Sequence, residues 1–234
     1  MQRVWIMVLL LFMGMGCVKQ QHEGAMESTD GRGESSVLYQ PRYVPDRLGG
    51  EPLPVRRGLQ TAWSYLPQGE LWTRYTQEAI GMYGQGLLRS VPRDIERYCP
   101  RYVQLNRVGR GDFWVNLIAK LAYLESGYHP DATYTERFYD NRGNRVVSRG
   151  LLQISQESAN GYGCGIDNPL WLDDPKINLS CGVRIMNRWI QKDGVVSAQV
   201  ASKWRGLARY WSPFRDSKRL EKIATYTKGL PYCQ

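Results

Sequence analysis

Glu125 is the residue in this sequence best placed to do chemistry. It closes the stretch Asp112-Phe-Trp-Val-Asn-Leu-Ile-Ala-Lys-Leu-Ala-Tyr-Leu-Glu-Ser-Gly127, in which Trp114, Leu117, Ile118, Leu121 and Ala122 recur at helical spacing. Glu125 lies four residues beyond Leu121 and three beyond Ala122, so it falls on the same apolar stripe and points inward. A carboxyl group among apolar side chains loses the hydration of its charged form, its pKa rises, and it can hold a proton near neutral pH. That is the requirement for a general acid. The competing reading is a buried glutamate neutralised by one of the many arginines.

Two further motifs follow in order. Glu125-Ser126 is succeeded by Gly150-Leu-Leu-Gln-Ile-Ser155 and then by Asn178-Leu-Ser-Cys-Gly182, which opens another amphipathic helix. In this order and at these separations the motifs resemble the catalytic domain of the soluble lytic transglycosylases, a family related in fold to goose-type lysozyme. The resemblance covers roughly the last 140 residues, a length that fits one domain. It implies a mainly α, lysozyme-like (α+β) fold with a small β-hairpin beside the catalytic helix, and cleavage of the β-1,4 bond between N-acetylmuramic acid and N-acetylglucosamine in peptidoglycan.

By the same resemblance Glu125 acts first as acid and then as base. The 2-acetamido group of the substrate stabilises the intermediate, the ionised glutamate takes a proton from the sugar's own 6-hydroxyl, and a 1,6-anhydro ring closes without water. Ser126 becomes an orienting hydroxyl, Gln153 a partner for a sugar amide, and Asn178 the helix-start residue backing the site. No metal and no cofactor is implied. Most glycosidases use a second carboxylate, but these motifs present one, and Glu136 and Asp140 fall on a polar hairpin.

The family pattern is broken downstream. Where Ala-Tyr-Asn-x-Gly is usual, with the Tyr hydroxyl bonded to the acid, this chain reads Ser202-Lys-Trp-Arg-Gly206. Two residues could replace that Tyr: Tyr210 through its own hydroxyl, or Trp204 by packing on the carboxyl and raising its pKa. With Tyr162 they are the candidate cleft aromatics. The rivals to a lytic transglycosylase are a water-using muramidase on the same fold and a non-catalytic wall-binding scaffold.

The elements that must position these residues are read from periodicity and punctuation. Asp112 is the expected N-cap of the Glu125 helix, and Gly127 with Pro130 its stop. Gln68 to Val91 reads as helix, weakened by Gly81, Gly84 and Gly86, and Asp94 to Asn106 as a short helix broken at Pro100. Thr133 to Asp140 and Arg145 to Ser148 form a hairpin around Asn141-Arg-Gly-Asn144, which returns Gly150 to Ser155 toward Glu125. Later helices are expected at Leu179 to Gln191, Val195 to Trp204 and Ser217 to Thr227.

Residues 1–16 combine a basic start with a short apolar run, about 12 residues against the ~20 needed to span a bilayer, and read as an export signal of lipoprotein type. Cys17 is the expected lipid acceptor, which would anchor the mature protein at the periplasmic face of the outer membrane, with a soluble periplasmic protein as the alternative. Residues 17–60 read as a flexible tether, 61–97 as an N-terminal helical segment and 98–234 as the catalytic domain.

Four further cysteines in an exported chain suit disulfides. Of three possible pairings the expected one joins Cys164 to Cys181 and Cys99 to Cys233, the latter closing a loop worth about 4 kcal/mol in the chain-entropy model. A zinc site lacks its Cys-x-x-Cys pair. The net charge of +9 calls for a polyanionic neighbour. Nucleic acid, anionic lipid and cell wall all qualify; export argues against nucleic acid, and the arginines are spread along the chain instead of lining one recognition helix.

Overall fold

α3, Arg107–Ser126, is the element on which the rest is assembled. In the computed structural model, which describes residues 53–234, every residue from Gly111 to Ala119 is buried, because α1 (Gly69–Tyr83), α2 (Gln85–Arg89) and α6 (Ser217–Lys228) all pack on it. A helix enclosed on all sides is a core helix, not an amphipathic surface helix. Its N-cap lies six residues before the expected one. Asn106 is the N-cap, its side chain accepting from Gly109 N at 2.9 Å, and Asp112 lies inside the helix, buried and ion-paired with Arg56. The stop is as expected: Gly127 caps the helix in the left-handed conformation.

The Gln68 to Val91 stretch divides at Gly84 into α1 and α2, and the stretch before α3 forms two short 3-10 turns, Ile95–Arg97 and Tyr102–Gln104. A three-stranded antiparallel sheet follows α3, in the order β1 (Thr133–Tyr139), β2 (Arg145–Arg149), β3 (Ile154–Ser155). α4 (Gln156–Gly161) leads through a 3-10 turn to α5 (Pro175–Asp193), N-capped by Asp174 and packed on α1 and α2. This mainly helical body with a small antiparallel sheet is the α+β lysozyme-like architecture expected from the sequence.

One expected helix is corrected. Val195 to Trp204 is not a helix: β4 (Ser197–Val200) pairs antiparallel with β5 (Lys203–Gly206). Ala201 and Ser202, both at positive φ (46° and 61°), make the two-residue turn that such a hairpin needs, without the Asn-Gly that would announce it. Asp94 fixes the first strand by accepting from Val196 N and Ser197 N at 2.7 and 2.9 Å. Toward the start of the described residues, Leu53 is buried in the core and Arg56 is held by Asp112. Trp63, Trp72 and Ile80 belong to the same core as Leu117 and Ile118.

Both expected disulfides are present, Cys99–Cys233 and Cys164–Cys181. The first ties the entry of α3 to the chain's last residues. The second staples the segment after α4 to α5. Cys17 and the residues expected to form the export signal and most of the tether lie outside the described residues.

Candidate active site

Glu125 occupies the last turn of α3, beyond the fully buried Leu117, Ile118, Leu121 and Ala122. Its Oε1 is buried and, among the described residues, accepts no hydrogen bond. Desolvation pushes its carboxyl from the ordinary 4.5 up to about 7; the positive charges of Arg219 and Arg215 work against that rise, and the negative charge of Glu136 adds to it. Burial therefore outweighs two arginines. The group is partly protonated around neutrality, and its Oε1 is left open to an incoming oxygen.

The Gly150–Gln153 loop forms the wall beside this helix end, and two of the expected site residues, Ser126 and Asn178, hold that loop. Ser126 Oγ lies 3.0 Å from both Ala122 O and Leu151 O, joining the helix terminus to the loop. Asn178, fully buried, accepts from Leu152 N at 2.9 Å and donates to Arg149 O and Leu172 O at 3.0 and 2.9 Å. Trp211 Nε1 donates to Leu152 O at 2.9 Å. Gly150 sits at φ 75°, and a Cβ there would meet Leu172 O at 2.1 Å and Asn178 Nδ2 at 2.3 Å, so only glycine fits. One turn along α5 from Asn178, a Cβ on Gly182 would strike Leu152 Cδ1 at 2.2 Å. The Asn-x-x-x-Gly spacing is thus the spacing of a clamp and a flat seat on one helix face.

Gln153 departs from its expected role at one end. Its backbone is left-handed (φ 49°), and its Nε2 donates to Ala132 O and Gly150 O, both at 2.9 Å. The donor end of the amide is committed to the backbone, leaving Oε1 for a ligand.

Neither Tyr210 nor Trp204 hydrogen-bonds Glu125. Tyr210 is close enough for the Glu125 charge to bear on its hydroxyl, which is pushed up by burial and directed at Ser158 and the backbone of Ser155. Its ring packs edge-on against Tyr162 at 6.1 Å, and Tyr162 OH accepts from Trp189 Nε1 at 2.8 Å. Trp204 stands on β5, paired with Gln199 in the second hairpin. The Glu125 carboxyl is raised by desolvation, with no tyrosine hydroxyl bonded to its Oε1.

Sequence reasoning left Glu136 on a polar hairpin, whereas the fold brings its charge to bear on Glu125. The β1–β2 register slips between Thr135 and Tyr139, at the segment carrying Glu136, and Ser148 Oγ donates to its Oε1 at 2.8 Å. Bulges commonly re-aim side chains beside active sites. Arg215 was also missed. It is held by the carbonyls of Ala208, Arg209 and Tyr210 at 2.6, 2.8 and 3.2 Å, which fixes its positive charge near Glu125. No local pattern marked it, because its role comes from the packing of α6 and its lead-in on α3. Among the described residues, no cluster of His, Cys, Asp and Glu could hold a metal ion.

Comparison with known proteins agrees with this geometry. The profile of the transglycosylase SLT domain matches residues 107–226. The solved structure of Bd0314 DslA, wild-type form 2, superposes with a TM-score of 0.73 at 37% identity, covering 76% of this chain and 100% of that one. Two glutamate-to-glutamine variants of DslA, altered at positions eleven residues apart, match equally well. No protein with a curated description matches.

Proposed function

Because the chain belongs to the SLT transglycosylase domain family, we propose that it is a peptidoglycan lytic transglycosylase with Glu125 as its acid and then its base. The observation that carries this reading is the buried, unpartnered Oε1 of a carboxyl raised to about 7. Protonated Glu125 donates to the glycosidic oxygen between N-acetylmuramic acid and N-acetylglucosamine as positive charge builds on the anomeric carbon. The carboxylate left behind is stabilised by Arg219 and Arg215, which favour its charged form. It then removes the proton of the 6-hydroxyl, and the 1,6-anhydro ring closes.

A second reading has its own support. Glu136 bears electrostatically on Glu125, is oriented by Ser148, and follows Glu125 by eleven residues, the separation of the two glutamates replaced in DslA. A second carboxylate could activate water and make the enzyme a muramidase. Digesting purified peptidoglycan and weighing the products separates the two, since anhydro ends are one water lighter than reducing ends. Glu125→Gln should lower cleavage by about 10²–10⁴-fold or more with the fold intact. Cleavage near the wild-type rate would remove Glu125 from this role and favour a wall-binding scaffold.

Lipid anchoring through Cys17 at the outer membrane completes the proposal. Mass spectrometry of the mature N-terminus tests it: an unmodified Cys17 would leave a soluble periplasmic enzyme. Among the described residues no helix is long and apolar enough to cross a membrane.

A further inference from the structure

Exposed aromatic rings gather at the end of α3 that carries Glu125. Tyr65 is 73% exposed and Tyr123 49% exposed, and both pack on the buried ring of Tyr128, with centroids 6.3 and 5.5 Å away. Tyr128 is backed by Trp63 and Trp72 at 6.2 and 6.4 Å. Its backbone is left-handed (φ 70°), a conformation that bulky residues avoid and that survives only where the surroundings enforce it. Scattered exposed tyrosines are ordinary, but two anchored on one clamped ring make a firm apolar surface.

Charge adjoins this surface. Lys120 Nζ lies 5.2 Å from the Tyr123 ring centre and 5.4 Å from that of Tyr226. Burial, and then the like charge of Lys222, hold the Lys120 ammonium below its ordinary range, so the two lysines lie close together. Aromatic faces beside paired cations suit a sugar with an apolar ring face and an acidic substituent. A muramoyl residue with its lactyl-linked peptide has both features.

We propose that Tyr65 and Tyr123, with Lys120 beside them, form a platform that holds a muramoyl-containing glycan strand away from the bond being cleaved. The proposal rests on peptidoglycan being the substrate. Tyr123 precedes Glu125 by two residues, about 200° around the helix, so the platform does not face the reacting atoms. It therefore acts on substrate capture and not on the chemical step. Tyr65 also lies outside residues 107–226, so the segment preceding the family domain supplies half of the platform.

The test uses the full mature chain. Binding of Glu125→Gln protein to purified sacculi is measured by sedimentation, alone and combined with Tyr65→Ala, Tyr123→Ala or Tyr65→Trp, and cleavage kinetics are measured with Glu125 intact. Each alanine should weaken binding about fivefold to tenfold and raise KM to match, with kcat within about twofold, while Tyr65→Trp should bind as tightly as Tyr65. Tyr65 is exposed enough for its alanine variant to fold, and an unchanged Tm verifies this. Unchanged binding in both alanine variants overturns the platform, as does a loss confined to kcat. Wild-type protein that binds sacculi in a Tyr65-dependent way without cleaving them supports the platform and refutes the proposed function instead.

Discussion

Glu125→Gln should stabilise the protein at alkaline pH and not in acid. The carboxyl is raised in the folded state from 4.5 to about 7, and at 1.36 kcal/mol per pH unit this corresponds to about 3 kcal/mol. Between those two values the native state binds more protons than the unfolded chain, so this residue's contribution to stability falls as pH rises through the window. Below about pH 4.5 both states are protonated and the cost is absent. Above about pH 7 both are ionised and the whole cost is present. Glutamine stays neutral throughout, so the stability difference between variant and wild type should grow by about 3 kcal/mol from acid to pH 8. Whatever the buried amide itself costs is common to both measurements and cancels. For a chain of this size the change amounts to about 6–12 °C in Tm. Urea unfolding of both proteins at pH 4 and pH 8 reads it directly. An equal difference at the two pH values would show that Glu125 is not desolvated, and the argument for it as a proton donor would fall.

Three further outcomes follow from the neighbours of the acid. Glu136→Gln removes a charge that raises the Glu125 pKa and should move the basic limb of the pH–rate profile to lower pH; Arg219→Ala removes one that lowers it and should move the limb up, so shifts of the same sign would contradict the assignment. Asn178→Ala strips three hydrogen bonds, two of them to fully buried groups, and should cost about 2–5 kcal/mol in urea unfolding; a loss below about 1 kcal/mol would mean the Gly150 loop is not held by this clamp. Trp204→Phe, on the second hairpin, should leave the pH profile in place, and a basic limb moved to lower pH would show that Trp204 desolvates the acid after all.

The sequence by itself determined the chemistry-bearing helix end. Apolar spacing put Glu125 on the buried stripe, Gly127 stopped the helix behind it, and the two later motifs identified the loop and the helix that close on it. These signals are legible because they are local: helical period, capping and the steric demand of a glycine are set by neighbours in the chain. The cysteine pairs were legible for a different reason, since few pairings are possible among four residues whose elements were already placed.

What only the tertiary structure decided involves partners distant in the chain. Asp112 looks like a cap until Arg56 is brought to it. The Val195 to Trp204 stretch has helical candidates for an inward face, but Asp94, about a hundred residues earlier, takes the two backbone N–H groups that begin a strand. Asn178 and Gln153 carry the residue types of sugar binders. The folded chain spends all of Asn178 and the donor end of Gln153 on carbonyl and amide groups of the loop, because buried backbone groups must be satisfied before a ligand can be. Glu136 follows the same logic in reverse: polar and unremarkable on its strand, it gains its importance from the fold, which brings its charge to bear on a carboxyl eleven residues earlier. An electrostatic field is a property of positions in space, and those positions exist only once α6, the sheet and α3 have packed together.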